Sequence, residues 1–182
     1  MIDPAANAAA VAAEARAAIR DVPDFPKPGI LFKDITPLLA DESLFRAVTA
    51  AMAAPFQGQG VTHVVAIESR GFIFGAPIAQ ALKAGLVPVR KPGKLPAKVI
   101  REDYALEYGT DALEIHHDGL RAGNRVLIVD DVLATGGTAA ATGRLIARTG
   151  ASVLAYTFLI ELTGLAGRAK LGDRTAAALL AY

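Results

Sequence analysis

Two adjacent acids and a threonine-glycine turn have the spacing in this sequence that points most directly to chemistry. Asp130 and Asp131 come directly after the apolar run Val126–Val129, and the turn Thr135–Thr138 (TGGT) follows them closely. Glycines let backbone N–H groups approach an anion, and a helix that begins there adds a positive partial charge. Carboxylates accept hydrogen bonds from hydroxyl groups. The pattern therefore predicts a ligand with both a phosphate and hydroxyl groups, such as a ribose 5-phosphate.

The same residues also have an interpretation that involves no ligand. Asp130 and Asp131 could form a solvated turn, and TGGT could be an ordinary helix cap. Neither the Walker loop, which ends in Gly-Lys-Ser/Thr, nor the dinucleotide motif Gly-x-Gly-x-x-Gly occurs in this sequence. If the turn binds an anion, it does so as a different type of phosphate loop.

A second polar turn, Glu68–Gly71 (ESRG), follows another apolar run, Val61–Ile67. The carboxyl ends of parallel strands meet at one edge of a sheet, so this turn should face the same crevice as Asp130. Arg70 can present a guanidinium fork to two phosphate oxygens, although a surface arginine in a turn is the alternative.

The stretch Arg90–Gly109 is basic, contains prolines and glycines, and has no clear periodicity. Loops of this length within a domain are usually functional lids or disordered segments. We expect a lid that closes over the site and excludes water, with a solvated charged loop as the alternative.

These motifs require a scaffold of alternating strands and helices. The remaining predicted helices are at 5–20, from an N-cap at Ser43 through Met52, at 75–83 and at 139–149. The remaining predicted strands are at 87–90, 113–117 and 153–160. Val11, Ala15 and Ile19 form the apolar face of the first helix. Strands that alternate with helices predict an α/β fold with a mainly parallel sheet. No internal repeat or domain boundary is evident.

Composition excludes several classes of function. The chain has 182 residues, with 19 basic and 18 acidic side chains and a formal charge of +1, so no global field favours nucleic acid or a membrane surface. It has no cysteine, which agrees with a cytoplasmic location. The alanine-rich start reads as a helix of the mature protein rather than a signal peptide. The three histidines are too scattered for a metal cluster.

The segment Val126–Thr138 resembles the signature with which type I phosphoribosyltransferases bind phosphoribosyl pyrophosphate (PRPP). Further segments resemble the adenine-specific branch of that family, and the similarity covers about Asp24 to Ala166. They are FPKPGILFKDITPLL (Phe25–Leu39), IESRGFIFG (Ile67–Gly75), RKPGKLP (Arg90–Pro96), YALEYG (Tyr104–Gly109) and ELTGLAGR (Glu161–Arg168).

The resemblance implies the type I phosphoribosyltransferase fold, a central mainly parallel sheet flanked by helices, with a small hood and a flexible lid loop. One domain would span 1–182, with an N-terminal helix and base-binding hood at 1–37, a core sheet at 61–160 and a lid at about 91–111. The implied reaction joins adenine to PRPP and yields AMP and pyrophosphate. The resemblance also implies Mg²⁺ bound mainly through substrate oxygens, a homodimer, and a non-proline cis peptide at Glu68–Ser69.

The family's functional residues carry over to matching positions of this sequence. The implied catalytic residues are Asp130, Asp131, Arg70 and Glu107. The loop for the PRPP 5′-phosphate, which also binds AMP, is Ala134, Thr135, Gly136, Gly137 and Thr138. The pyrophosphate residues are Glu68, Ser69, Arg70, Gly71, Lys91, Lys94 and Tyr108. Adenine would contact Leu31, Phe32 and Lys33, through stacking on Phe32 and main-chain groups of its neighbours, although a lone Phe in this position is often a core residue.

Two other functions remain open at this level. Transfer to hypoxanthine, guanine or xanthine would use the same PRPP half of the site. A PRPP-sensing regulator without catalytic activity would need a nucleic-acid-binding head, and the residues before Val61 show no basic helix-turn-helix pattern.

Overall fold

The computed structural model describes residues 4–105 and 110–182, apart from the side chains of residues 4–7 and 105. The chain divides into two units, Met1–Ala51 and Met52–Tyr182. The elements of the first unit are helix α1 (Pro4–Ala18), strands β1 (Arg20–Pro23) and β2 (Leu31–Asp34), helix α2 (Thr36–Ala40) and helix α3 (Glu42–Ala53), which continues into the second unit.

The first unit agrees with the predicted helices but adds a hairpin. Val11, Ala15 and Ile19 are all buried, as their spacing predicts. The proline-rich segment after α1 connects β1 to β2, which pair antiparallel. This pairing could not be predicted from the sequence, because each strand is only four residues long.

The start of α3 corrects the predicted cap. Asp41, rather than Ser43, precedes the helix, and its Oδ1 accepts a hydrogen bond from the Leu44 N–H at 2.9 Å. An aspartate at this position satisfies one of the free N–H groups of the first turn. Ser43 lies inside the helix.

The second unit is built on a parallel sheet of five strands in the order β4-β3-β7-β8-β9. Every neighbouring pair in this sheet is parallel. Its elements are β3 (His63–Ile67), α4 (Gly71–Leu82), β4 (Gly85–Val89), β5 (Val99–Ala105), β6 (Thr110–His116), β7 (Arg125–Leu133), α5 (Gly137–Ala147), β8 (Ser152–Glu161) and β9 (Thr175–Ala181), with short 3₁₀ helices at Ala54–Phe56, Thr163–Leu165 and Gly167–Leu171.

The core of this unit lies around β7, the central strand. Residues Val126–Val129 are completely buried, as are Val64–Ile67 of β3. A strand covered on both faces needs apolar side chains on both, which is why these runs are continuous rather than alternating. Tyr104 of β5 and Leu145 of α5 belong to the same hydrophobic cluster.

Three elements differ from the predictions. The stretch expected to be an irregular lid contains β5, which pairs antiparallel with β6 over its whole length. β9 was not predicted, and α4 begins at Gly71 rather than about Gly75. A hairpin of this kind depends on pairing between strands, which the sequence pattern of 90–109 alone does not encode.

The described helices are short. α1 has 15 residues, α3 and α4 have 12 each, and α5 has 11. A membrane-spanning helix needs about 20 apolar residues. Within residues 4–105 and 110–182, no helix is long and apolar enough to cross a membrane.

Gly75 allows α4 to pack tightly on β3. A methyl group at Gly75 would lie 2.5 Å from Cβ of Ala66, well inside van der Waals contact. Overpacking of this kind destabilises a protein by about 1–3 kcal/mol. This loss exceeds the stabilisation of about 0.5–1 kcal/mol that replacing glycine by alanine within a helix provides. We therefore expect Gly75→Ala to lower the free energy of unfolding, measured by urea denaturation.

Gly164 is the matched control, because a methyl group there would have no neighbour within 4 Å. Gly164→Ala should leave the urea midpoint nearly unchanged. A Gly75→Ala variant as stable as the parent would contradict the close packing of α4 on β3.

Candidate active site

The polar turns predicted from the sequence meet at one edge of the parallel sheet. The turn at 68–71 follows β3, the segment 90–94 follows β4, and the acids and the TGGT turn lie at the end of β7. These three strands are neighbours in the sheet. Their carboxyl ends therefore form one crevice, which is where open α/β sheets bind ligands.

Direct contacts join the 68–71 turn to the acids of β7. Nε of Arg70 lies 2.9 Å from Oδ2 of Asp131. Gly71 packs so closely on β7 that a methyl group there would lie 3.0 Å from Oδ1 of Asp130. The peptide bond between Glu68 and Ser69 is cis, as the resemblance implies. The sequence expectation that these two turns share a crevice is therefore confirmed.

Asp130 lies in an environment that disfavours its charge. Burial raises the pKa of Asp130 well above the ordinary value of an aspartate, and the adjacent charge of Asp131 raises it further. Asp131 is buried. Its Oδ2 forms an ion pair with Arg70 but accepts no hydrogen bond of good geometry from the described residues. A hydroxyl donor from a ligand would satisfy this oxygen.

The TGGT turn forms a small anion site at the start of α5. Gly136 adopts a φ of +75° and precedes the helix without a side-chain cap, so the first N–H groups of α5 are left for a ligand. A cavity of about 80 Å³ lies at this turn, which suits one phosphate group rather than a whole nucleotide. Its lining residues are Asp130, Val132, Leu133, Ala134, Thr135, Gly136, Gly137, Thr138 and Ala139.

Gly167, a glycine outside the TGGT turn, packs against it and was given no role from the sequence. Gly167 packs against the backbone at Gly136 and Ala134 so closely that a side chain on Gly167 or Gly136 would clash with the other segment. Arg168 pairs with Glu161, where β8 ends, and fixes the segment that carries Gly167. The signal in the sequence was the segment ELTGLAGR, but its contact with a turn 30 residues earlier is not a local property.

Glu68 organises the segment that follows β4. Its carboxylate accepts hydrogen bonds from the Arg90 Nε at 3.2 Å and the Lys91 backbone N–H at 3.0 Å, and forms an ion pair with Lys94. Burial alone would raise the pKa of Glu68, but these donors and the charges of Lys94 and Arg90 lower it below its ordinary value. The carboxylate thus points at cationic groups that could bind an anion.

Lys91 is paired with Asp111, a residue that the sequence analysis did not single out. Asp111 Oδ2 also accepts a hydrogen bond from the Tyr104 hydroxyl at 3.2 Å. The Tyr104 hydroxyl lies 3.3 Å from the Thr138 hydroxyl in the TGGT turn. A chain of polar contacts therefore runs from the segment after β4 to the phosphate loop.

The candidate base-binding residues belong to β2, in the first unit. Leu31 is exposed, while Phe32 is partly buried and meets Phe25 edge to face at a centroid distance of 5.0 Å. The Lys33 ammonium lies 2.6 Å from Oδ1 of Asp21 across the hairpin. The lysine side chain is thus held within the hairpin, which leaves its main-chain groups as the candidate contacts for a base.

Two predicted residues, Glu107 and Tyr108, lie outside the described residues.

Within the described ranges, no group of three or more His, Cys, Asp or Glu side chains could hold a metal ion. The adjacent His116 and His117 lie at the end of β6 and beyond it.

The sequence and the fold both match known proteins. Residues 35–173 match the family described as "Phosphoribosyl transferase domain". The chain is 58% identical over 170 residues to the adenine phosphoribosyltransferase of Myxococcus xanthus, which covers 93% of this chain and 92% of that protein. It is 59% identical over 164 residues to that of Acaryochloris marina, with 90% and 96% covered.

Solved structures give the same result. The adenine phosphoribosyltransferase of Rhodothermus marinus superposes with a TM-score of 0.91 at 54% identity, covering 96% of this chain and 99% of that one. The Saccharomyces cerevisiae enzyme, in complex with adenine and an imino-altritol bisphosphate, has a TM-score of 0.90 at 41% identity, with 94% and 99% covered. The chain therefore belongs to the type I phosphoribosyltransferase family, within its adenine phosphoribosyltransferase branch.

Proposed function

We propose that the crevice at the carboxyl edge of the sheet binds PRPP and is where its phosphoribosyl group is transferred to adenine, giving AMP and pyrophosphate for purine salvage. The observation that carries this proposal is the contact of the 68–71 turn with the acids of β7, with Arg70 Nε 2.9 Å from Asp131 Oδ2. This contact supports a proposed pyrophosphate turn that lies beside the proposed ribose phosphate site.

The ribose 5-phosphate would occupy the end of β7. Its phosphate fits the 134–138 loop, where the backbone N–H groups at the start of α5 and the hydroxyls of Thr135 and Thr138 are donors. The ribose hydroxyls would donate to Asp130 and Asp131, and one of them would satisfy the buried Asp131 Oδ2 that lacks a donor. AMP would retain these contacts after pyrophosphate leaves.

The pyrophosphate would face the cationic side of the crevice. Arg70 offers a guanidinium, Ser69 and Gly71 offer backbone donors, and Lys91 and Lys94 offer ammonium groups. The side chains of Lys91 and Lys94 keep 37% and 47% of their surface exposed although both are paired with carboxylates. We propose that Glu68 acts in this subsite by holding the 90–94 segment, and we assign Tyr108 to the same subsite from the family pattern.

In the reaction, adenine N9 forms a bond to the anomeric carbon while the bond from that carbon to pyrophosphate breaks. Positive charge develops on the sugar and negative charge on the leaving group. Asp130 and Asp131 would face the positive charge on the sugar, and Arg70 and the lysines would face the negative charge on pyrophosphate. Catalysis would therefore be mainly electrostatic and positional. Glu107 is the candidate acid or base at the purine imidazole ring.

Mg²⁺ is the proposed cofactor, bound mainly through PRPP oxygens. Asp130 and Asp131 would be the carboxylates nearest to the sugar and to this ion. When bound, Mg²⁺ would neutralise charge on the pyrophosphate.

We also propose a cytoplasmic location, since the chain contains no cysteine.

The base would be recognised by β2. We propose that adenine stacks on the partly buried Phe32 ring and that main-chain groups of Leu31 and Lys33 contact its edge. Main-chain groups can distinguish the amino group of adenine from the oxo group of other purines, because donors and acceptors are reversed at that position.

A purine competition assay tests the substrate assignment. With PRPP and Mg²⁺ present, adenine should give AMP and stoichiometric pyrophosphate. Hypoxanthine, guanine and xanthine should react with a kcat/KM at least about a hundredfold lower, because each leaves polar groups unpaired at the base edge. Comparable rates with any of the three would contradict adenine specificity, and retention of DNA without pyrophosphate release would favour a regulator.

Replacing Asp130 should separate activity from stability. Asp130→Asn removes a charge that faces the sugar and should lower kcat/KM for PRPP by about 10²–10³-fold. The raised pKa means that the folded state favours the protonated acid, so the stabilising contribution of Asp130 is lost as pH rises through the folded pKa. Asp130→Asn should therefore be at least as stable as the parent at neutral pH, which urea denaturation can check.

The parent's kcat/KM for PRPP should also fall on acidification, at a pH above the ordinary aspartate pKa of 3.8, because the ionised Asp130 is needed. The exposed Asp118 supplies the control, and Asp118→Asn should keep full activity. Near-normal rates in Asp130→Asn would remove Asp130 from the proposed mechanism.

We propose a homodimer that uses the face formed by α4 and β4. Ile73 and Leu86 are 38% and 45% exposed on these neighbouring elements, which is unusual for large apolar side chains. Ile73→Glu should shift the molar mass measured by light scattering from dimer to monomer at low micromolar concentration. Leu165→Glu, at another exposed leucine, should remain dimeric. A monomeric parent protein would contradict the proposal.

A further inference from the structure

The contact between β5 and β6 brings two polar residues together beside the proposed substrate site. Tyr104 and Asp111 are direct partners in the antiparallel register, so their side chains lie on the same face of the hairpin. Tyr104 is 5% exposed and Asp111 is partly buried. Neither residue is used in the proposed reaction.

The Asp111 carboxylate binds three donors. Oδ1 accepts from the Ala112 N–H at 2.8 Å, and Oδ2 accepts from the Tyr104 hydroxyl at 3.2 Å and pairs with the Lys91 ammonium. Burial alone would raise the pKa of Asp111, but the hydrogen bond from Lys91 and the other donors lower it. The acid is therefore ionised, and its charge is directed at Lys91.

The direction of the hydrogen bonds extends this arrangement to the phosphate loop. An ionised carboxylate only accepts, so Tyr104 donates its single hydroxyl proton to Asp111. In the contact of 3.3 Å between the Tyr104 and Thr138 hydroxyls, Thr138 must then be the donor. The order is Thr138 to Tyr104 to Asp111, with Lys91 on the same carboxylate.

We propose that Asp111 is a positioning residue that holds Lys91 toward the pyrophosphate of PRPP and, through Tyr104, holds Thr138 in the 5′-phosphate loop. This inference rests on the proposed function and adds a residue to it. One carboxylate would thus couple the two ends of the substrate's phosphate-binding surface.

The hydrogen-bond donors of Lys91 determine whether its pairing with Asp111 strengthens or weakens PRPP binding. An ammonium has three N–H donors, and a carboxylate that fixes its position leaves donors for pyrophosphate oxygens. A lysine without its partner must lose the freedom of a long side chain when the substrate binds, which weakens binding. Asp111 therefore assists substrate binding and does not compete with it.

The test is the steady-state KM for PRPP in Asp111→Asn, assayed with Mg²⁺ and adenine. We expect a rise of about tenfold, in the range for loss of one charged hydrogen-bond partner, while the KM for adenine and kcat stay within about twofold. A general structural defect would change all three. Asp103→Asn is the matched control on the same hairpin, because Asp103 is exposed and its ion pair among the described residues is with the nearby Arg101. This variant should have the parent's kinetic constants.

A double-mutant cycle identifies the route of the effect. In a Lys91→Met background, Asp111→Asn should raise the KM for PRPP by less than about twofold further, since Lys91 is absent and only the contact through Tyr104 to Thr138 remains. Tyr104→Phe should weaken AMP binding, measured by calorimetry, while Lys91→Met should not. A lower KM for PRPP in Asp111→Asn, or a full tenfold rise on top of Lys91→Met, would overturn the proposal.

The same variants distinguish failure of this inference from failure of the function on which it rests. If Lys91→Met has the parent's KM for PRPP, the proposed contact of Lys91 with pyrophosphate is wrong. If Lys91→Met is impaired and Asp111→Asn is not, only the positioning role of Asp111 fails.

Discussion

Two neighbouring carboxylates at the end of a buried strand are the constraint around which the candidate active site is arranged. Asp130 and Asp131 follow the fully buried run Val126–Val129, and burial and the charge of Asp131 both disfavour the ionised form of Asp130. Such a pair is tolerated where opposite charges face it, and Arg70 does so from the neighbouring turn. A sugar that gains positive charge during its reaction would be stabilised by the same two acids. In the proposed reaction, the arrangement that costs stability in the free protein would favour the transition state.

The cationic groups of the crevice are held in a similar way. Lys94 pairs with Glu68 and Lys91 pairs with Asp111, and both acids also accept hydrogen bonds from neighbouring donors. These carboxylates keep the lysines near the carboxyl edge of the sheet while leaving part of each side chain exposed. Acidic and basic side chains therefore alternate along the site. This arrangement suits a ligand with a neutral sugar between two phosphate-bearing ends. A crevice with only positive charge would not distinguish this ligand from other polyphosphates.

What could be predicted from the sequence was local. β7 and the TGGT turn form from contiguous residues whose apolar run and glycines specify the conformation, so the strand, the turn and the helix after it were found together. β9 was missed because its alanine-rich sequence (TAAALLA) has a low strand propensity. β5 was missed because a largely polar strand is defined by its partner rather than by its own residues. The Asp111 ion pair and the packing of Gly167 on the phosphate loop were missed for the same reason. Each joins residues that are about 20 or more positions apart. The resemblance to a known family supplied the roles of Arg70 and the lysines, which spacing alone left open.

The most direct test of the central claim is a crystal structure with AMP bound. We expect the AMP phosphate to lie within hydrogen-bonding distance of the backbone N–H groups of the 134–138 loop, and the ribose hydroxyls to contact Asp130 and Asp131. A phosphate bound at the 68–71 turn instead, or a ribose that contacts neither acid, would contradict the central claim.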